Sequence, residues 1–102
     1  MKKILYRQGD VLIERVSEIP QGLKAKKSNS LILAIGEATG HAHAINATGI
    51  RKFGDGFDFY FSLPQAATIV HEEHGAIAIP AGNYHKIHQR EYAPGAIRNV
   101  AD

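Results

Sequence analysis

An all-β domain, folded as a small barrel or roll of about seven to eight short strands, is the architecture this sequence predicts. Apolar residues alternate with polar ones, and no window carries a helical stripe longer than a turn or two. Turn-forming residues punctuate the chain at short intervals: Pro20 and Gly22, Asn29-Ser30, Thr48-Gly49, Gly54-Asp55-Gly56, Pro64, Gly75, and Pro80 with Gly82.

The elements follow in order. "DVLIERV" (10–16) is the first candidate strand. "SEIPQGLKAKKSNS" (17–30) is broken and polar and reads as a loop with at most one short turn. "LILAIGE" (31–37) and "HAHAIN" (41–46) come next. "FDFYFSL" (57–63) alternates most cleanly, with Phe57, Phe59, Phe61 and Leu63 on one face and Asp58, Tyr60 and Ser62 on the other. "ATIVH" (67–71), "AIAIP" (76–80) and "YHKIHQREY" (84–92) complete the series. The tail "APGAIRNVAD" is expected to pack over the domain through Ile97 and Val100, leaving Arg98 and Asp102 outside.

The 102 residues predict one domain, 1–102, with a single modest core, and a hydrophobic content of 44% argues against wholesale disorder. The chain has no cysteine, which excludes disulfides and thiolate metal sites. "MKKILYRQGD" lacks the apolar run of a signal peptide, and no stretch approaches membrane-spanning length, so the expectation is a soluble cytoplasmic protein. Net charge is +2 with neutral histidines, and the one dense basic run is "KAKK" at 24–27, which reads as a solvated loop.

All six histidines fall in three short stretches: "TGHAHAI" (39–45), "HEEHG" (71–75) and "GNYHKIHQREY" (82–92). On a strand, His41 and His43 leave the same face with Cα atoms roughly 6.5–7 Å apart. Metal–nitrogen bonds of about 2.0–2.1 Å would bring their ring nitrogens to about 3 Å from each other on a shared ion. The competing reading is a polar, solvent-facing strand surface. "HEEH" has its histidines three apart and a glycine immediately after, so it is not the helical zinc-protease pattern, which needs them four apart. At a hairpin tip His71 and His74 can still share a site with the first pair if the turn curls them together. With no thiolate available, three or four imidazoles suit a divalent transition metal: zinc, iron, nickel, copper or manganese. A carboxylate from Glu72 or Glu73 would tilt the choice toward iron or manganese, and either could serve as a general base.

"GAIAIPAGNYH", with Gly75, Pro80, Gly82 and His85, resembles the second conserved motif of cupins, and "GEATGHAH" resembles the first. That resemblance implies a cupin-like β-roll with His41, His43 and His85 as metal ligands. The glutamate that cupins carry after the histidine pair is missing, since "AINATGI" stands there, so His71 or His74 would have to replace it. The chain as a whole is similar to a group of small uncharacterised bacterial and phage proteins that share "GD" near the start, "GE-x-TGHAH", "HEEH", "P-x-G-x-Y" and "QREY". This resemblance names no activity and favours His41, His43, His71 and His74 as the metal set, with His85 in reserve.

"HQREY" (88–92) places Gln89, Arg90 and Tyr92 as candidate small-molecule contacts near such a metal, Arg90 through a bidentate clamp on a carboxylate or phosphate. Arg90 pairing with Glu72 or Glu73 is the structural alternative. The leading functional expectation is therefore a metal-binding small β-barrel with a histidine-rich site. Enzymatic activity is undecided, because no residue pattern selects a reaction. The alternative is a nucleic-acid or protein-binding barrel without catalysis, in which "KFGDGFDFYF" (52–61) supplies aromatics for base stacking. The small charge excess disfavours nucleic acid. A pH sensor built from the imidazoles is a third reading. A homodimer would cover exposed strand edges.

Overall fold

A computed structural model describes residues 4–9, 11–35, 42–54, 56, 58–72 and 74–88, with the side chains of Ile35 and His88 excluded. Eight strands and no helix occur among these residues: β1 (Leu5–Gln8), β2 (Val11–Val16), β3 (Ala25–Ile35), β4 (Ala42–Phe53), β5 (Phe59–Leu63), β6 (Ala67–Val70), β7 (Ile77–Ile79) and β8 (Gly82–His88). They form one antiparallel, nearly closed, barrel-shaped sheet in the order β1-β2-β8-β5-β4-β6-β7, with β3 along the other edge of β4. The predicted all-β class and strand number hold. The expectations for the tail, including Ile97 and Val100, lie outside the described residues.

The interior follows from alternation. Phe59, Phe61 and Leu63 of β5 are buried, while Tyr60 and Ser62 between them are half-buried on the outer face. Val11 and Ile13, Leu31 and Leu33, Ile45 and Ile50, Ile69, Ile79 and Tyr84 join them in one core. Tyr84 stacks on Phe61 with ring centroids 5.3 Å apart, and its hydroxyl donates to the Pro80 carbonyl at 2.6 Å. Burial raises the Tyr84 pKa above 10.0, with nearby Arg15 opposing the shift. One cation belongs to this interior. Lys86 is 0% exposed, its ammonium 3.8 Å from an Asp58 carboxylate oxygen and 5.1 Å from the centre of the Phe59 ring.

Two sequence expectations need correction. The second half of the segment read as a loop, residues 25–30, is the start of β3. Every residue there is exposed, so no hydrophobic alternation marks it. It is held by backbone pairing with β4, from Ala25 opposite Phe53 to Ser28 opposite Ile50. A lysine-rich exposed edge is also what discourages pairing with other chains. The turn expected at Thr48-Gly49 is instead a bulge inside the continuous β4. The register shifts between Ser28 and Ser30, Gly49 adopts φ 78°, and its amide donates to Asn29 Oδ1 at 3.2 Å.

This bulge lets β4 serve two partners in succession. Its first half pairs with β6 (Ala44 opposite Val70, Ile45 opposite Ile69), and its last residues pair with β5 (Arg51 opposite Ser62, Phe53 opposite Tyr60). The sheet forks there, a second register shift against β4 falls between Ile32 and Ala34 of β3, and a seam separates β1 from β7 among the described residues.

Candidate functional site

At the seam, residues remote in sequence converge. The β1–β2 hairpin turns at Gly9, with Gln8 paired opposite Val11. Gln8 is 3% exposed, and its amide nitrogen donates to the Ile69 carbonyl at 3.2 Å and to the Gly75 carbonyl at 2.9 Å. These carbonyls flank the segment that joins β6 to β7, so one side chain ties the end of β1 to both legs of the "HEEH" turn. A neutral amide has two N–H donors, and both are committed. Its oxygen therefore faces His43, whose Nδ1 lies 2.8 Å away. The network thus places a proton on His43 Nδ1, which donates to Gln8 Oε1.

His43 points inward. It alternates with Ile45 on the core face of β4 and is 6% exposed, while Ala42 and Ala44 occupy the other face. The solvent-facing alternative for this strand does not hold at His43. His71 and His74 reach it from the β6–β7 turn. Ring centroids are 4.1 Å apart for His43 and His71, 4.7 Å for His71 and His74, and 5.9 Å for His43 and His74. The first and last of these pairs are stacked, at interplanar angles of 28° and 18°.

Gly9 forms the wall beside them. A Cβ at that position would stand 2.7 Å from His74 Nε2 and 3.3 Å from His43 Cε1, and the backbone there has φ 59°. Glycine is required twice over, by the close approach and by the left-handed conformation.

The ring centroids of His43, His71 and His74 thus lie within 5.9 Å of one another, while His41 lies outside the described residues. His85 stands apart from this group. It projects from β8 on the face opposite buried Tyr84 and Lys86 and stacks on Tyr60, with centroids 4.2 Å apart and planes 8° apart. The ligand set that the cupin resemblance implies is therefore not assembled through His85. Glu72 is exposed at the turn. Glu73, Gln89, Arg90 and Tyr92 lie outside the described residues.

Among the described residues, no group of three or more histidine or acidic side chains is arranged to hold a metal ion as it stands. Stacked imidazoles present their faces to one another, whereas ligation needs ring edges turned to a common point. His71 and His74 are half-buried, whereas His43 is buried and hydrogen-bonded to Gln8.

Sequence reasoning missed Gln8 and Gly9. The "GD" landmark pointed to the right turn but carried no chemistry, and β1 was not anticipated. The base-stacking alternative loses its principal residues, because Phe59 and Phe61 are 5% and 0% exposed within the core. No helix among the described residues is long and apolar enough to cross a membrane.

No curated protein and no solved structure matches the chain. A family model described as a domain of unknown function, DUF8820, matches residues 7–89, a span that includes Gln8, Gly9 and all three clustered histidines; the chain belongs to that family.

Proposed function

We propose that this protein binds a divalent transition metal at the barrel seam through His43, His71 and His74, with His41 as a further ligand. Zinc, iron, nickel, copper and manganese all suit an imidazole donor set. The observation that supports this most strongly is the bond from His43 Nδ1 to Gln8 Oε1. Metal-binding histidines are characteristically oriented by a hydrogen bond at the other ring nitrogen, which fixes the tautomer and raises the basicity of the donor atom. Here that partner is itself anchored by two backbone carbonyls. In this reading His43 is the fixed ligand, and the half-buried His71 and His74 rotate out of their stack to complete the site.

The test is a titration of the untagged protein, stripped with chelator, with each of the five ions while thermal unfolding and binding heat are followed. Metal at a hundredfold excess over its Kd adds about 2.7 kcal/mol to the folded state. For a domain of this size that corresponds to a rise in Tm of about 10–20 °C. His71→Ala and His74→Ala, which alter half-exposed positions, are expected to fold and to lose most of that rise. No binding by any of the five ions, or binding that survives both substitutions undiminished, would refute the proposal.

A further inference from the structure

The fork in the sheet leaves a second site on the outer face, remote in the sheet from the histidines. Where β4 leaves β6 and takes up β5, a notch with a volume of about 390 Å³ opens, with the β5–β6 turn at its edge. A single cross-strand row forms its floor: Lys27 of β3 lies opposite Arg51 of β4, Arg51 opposite Ser62 of β5, and Ser62 opposite Asn83 of β8. Gly49 and Pro64 close one side, a Cβ at position 49 reaching to 3.3 Å of Pro64 Cγ.

The composition of this row is unusual for a structural one. Like charges directly opposite each other on neighbouring strands destabilise a sheet. Neither Lys27 nor Arg51 has an ion-pair partner among the described residues, and no carboxylate lines the notch. Two cations side by side, flanked by a hydroxyl and an amide, instead make a set of donors for an oxyanion. Arg51 supplies a planar fork suited to two oxygens, Lys27 a compact charge, and Ser62 and Asn83 neutral N–H and O–H groups. Asn83 Nδ2 donates to the Ser17 carbonyl at 3.3 Å, which steadies the amide beside the notch. Two full charges favour a dianion over a carboxylate. The volume lies within the range of about 300–1,000 Å³ typical of small-molecule sites, more than a bare phosphate fills.

We infer that the notch lined by Lys27, Arg51, Ser62 and Asn83 binds the phosphate of a small phosphomonoester, with the organic part lying against Pro64 and the backbone of Gly49. The site is independent of the histidine cluster, and the repulsion between Lys27 and Arg51 persists in the folded sheet because the ligand relieves it.

The experiment measures binding of inorganic phosphate, sulfate, chloride, ribose 5-phosphate, adenosine 5′-monophosphate, unphosphorylated ribose and a single-stranded oligothymidylate, at low salt and without added metal. Phosphate and both monoesters are expected to bind and to raise Tm, the monoesters more tightly, and ribose to do neither. Lys27→Glu is the decisive variant: it replaces a like-charge pair with an opposite one, so unliganded Tm should rise slightly while binding falls at least tenfold. Arg51→Gln should weaken binding similarly and leave the fold intact. Absence of monoester binding at millimolar concentration, or affinity unchanged in both variants, overturns the inference. Equal affinity for phosphate, sulfate and chloride would also overturn it, by reducing the notch to general ion screening. Tight oligothymidylate binding that depends on Lys24 and Lys26 more than on Arg51 would replace it with a polynucleotide track along β3.

Discussion

Gln8 bridges the seam, and Gln8→Met isolates its contribution. Methionine is unbranched and of similar length, so the substitution keeps volume while deleting three hydrogen bonds. The Gly75 bond is only partly buried, and water can take the place of the lost donor there. The Ile69 and His43 bonds are buried, so the variant leaves a carbonyl and an imidazole N–H without that partner in a dry environment. An orphaned buried group costs about 1–3 kcal/mol, which puts the total for these two at about 2–6 kcal/mol. Tm should fall by at least about 8 °C on the scale of about 4–8 °C per kcal/mol for a domain of this length. Urea unfolding at pH 7 gives the free energy directly, and an unchanged m-value checks that the unfolded state is the same. Gln8→Glu refines the argument, because a carboxylate can still accept from His43 but has no proton to offer the two carbonyls. It should be destabilised at neutral pH and partly recover under mild acid, where a protonated carboxyl regains one donor. A Gln8→Met protein within about 0.5 kcal/mol of the parent, the ordinary range for an unconstrained surface change, would refute the account of the seam.

Two further substitutions probe neighbouring features. Gly9→Ala forces a Cβ into the His74 ring and a side-chain-bearing residue into left-handed backbone, for which a cost of about 1–3 kcal/mol is expected; urea unfolding measures it, and a loss below about 0.5 kcal/mol would refute the double requirement. Lys86 tests the buried cation by pH. Burial lowers its pKa below 10.5, Asp58 opposing that shift and Lys52 adding to it. Between the lowered folded value and 10.5 the unfolded chain binds more protons, so this residue makes stability rise with pH across that window. Urea midpoints from neutral to alkaline pH should show the rise in the parent and lose it in Lys86→Met, which leaves the half-exposed Asp58 hydrated. Identical slopes in the two proteins would refute the assignment.

What the sequence made legible follows the hydrophobic pattern. β5 was readable because Phe59, Phe61 and Leu63 face a core while Tyr60 and Ser62 do not, and period-two burial leaves a period-two sequence. β3 was half readable for the converse reason. Leu31 and Leu33 are buried and were found; residues 25–30 are exposed and held by backbone bonds that leave no mark on side-chain polarity. The bulge at Gly49 resembled a turn because a positive-φ glycine serves both, and only strand pairing distinguishes them. The histidine cluster was legible as composition. That His43 joins the core face, and that Gln8 orients it, depends on β1 lying across a seam from the β6–β7 turn, a long-range relation no local pattern encodes.

The location of the cluster bears on how the fold and the proposed metal site depend on each other. Among the described residues β1 and β7 end the strand order with no ladder between them, and the Gln8 amide ties β1 to Ile69 and Gly75 across that seam. A seam held by a few side-chain bonds opens at lower free energy than the paired interior of a sheet. An ion held jointly by His43 on β4 and His71 and His74 on the turn would add bonds where the backbone provides fewest. It would also act on Gln8, because withdrawing electron density through His43 Nε2 strengthens the donor at Nδ1. Metal should therefore slow amide exchange selectively in the 69–75 segment and around Gln8, while β8, paired on both edges with β2 and β5, changes little. Uniform protection across the sheet would mean that the ion acts on global stability alone, and the seam would then have no special part in binding.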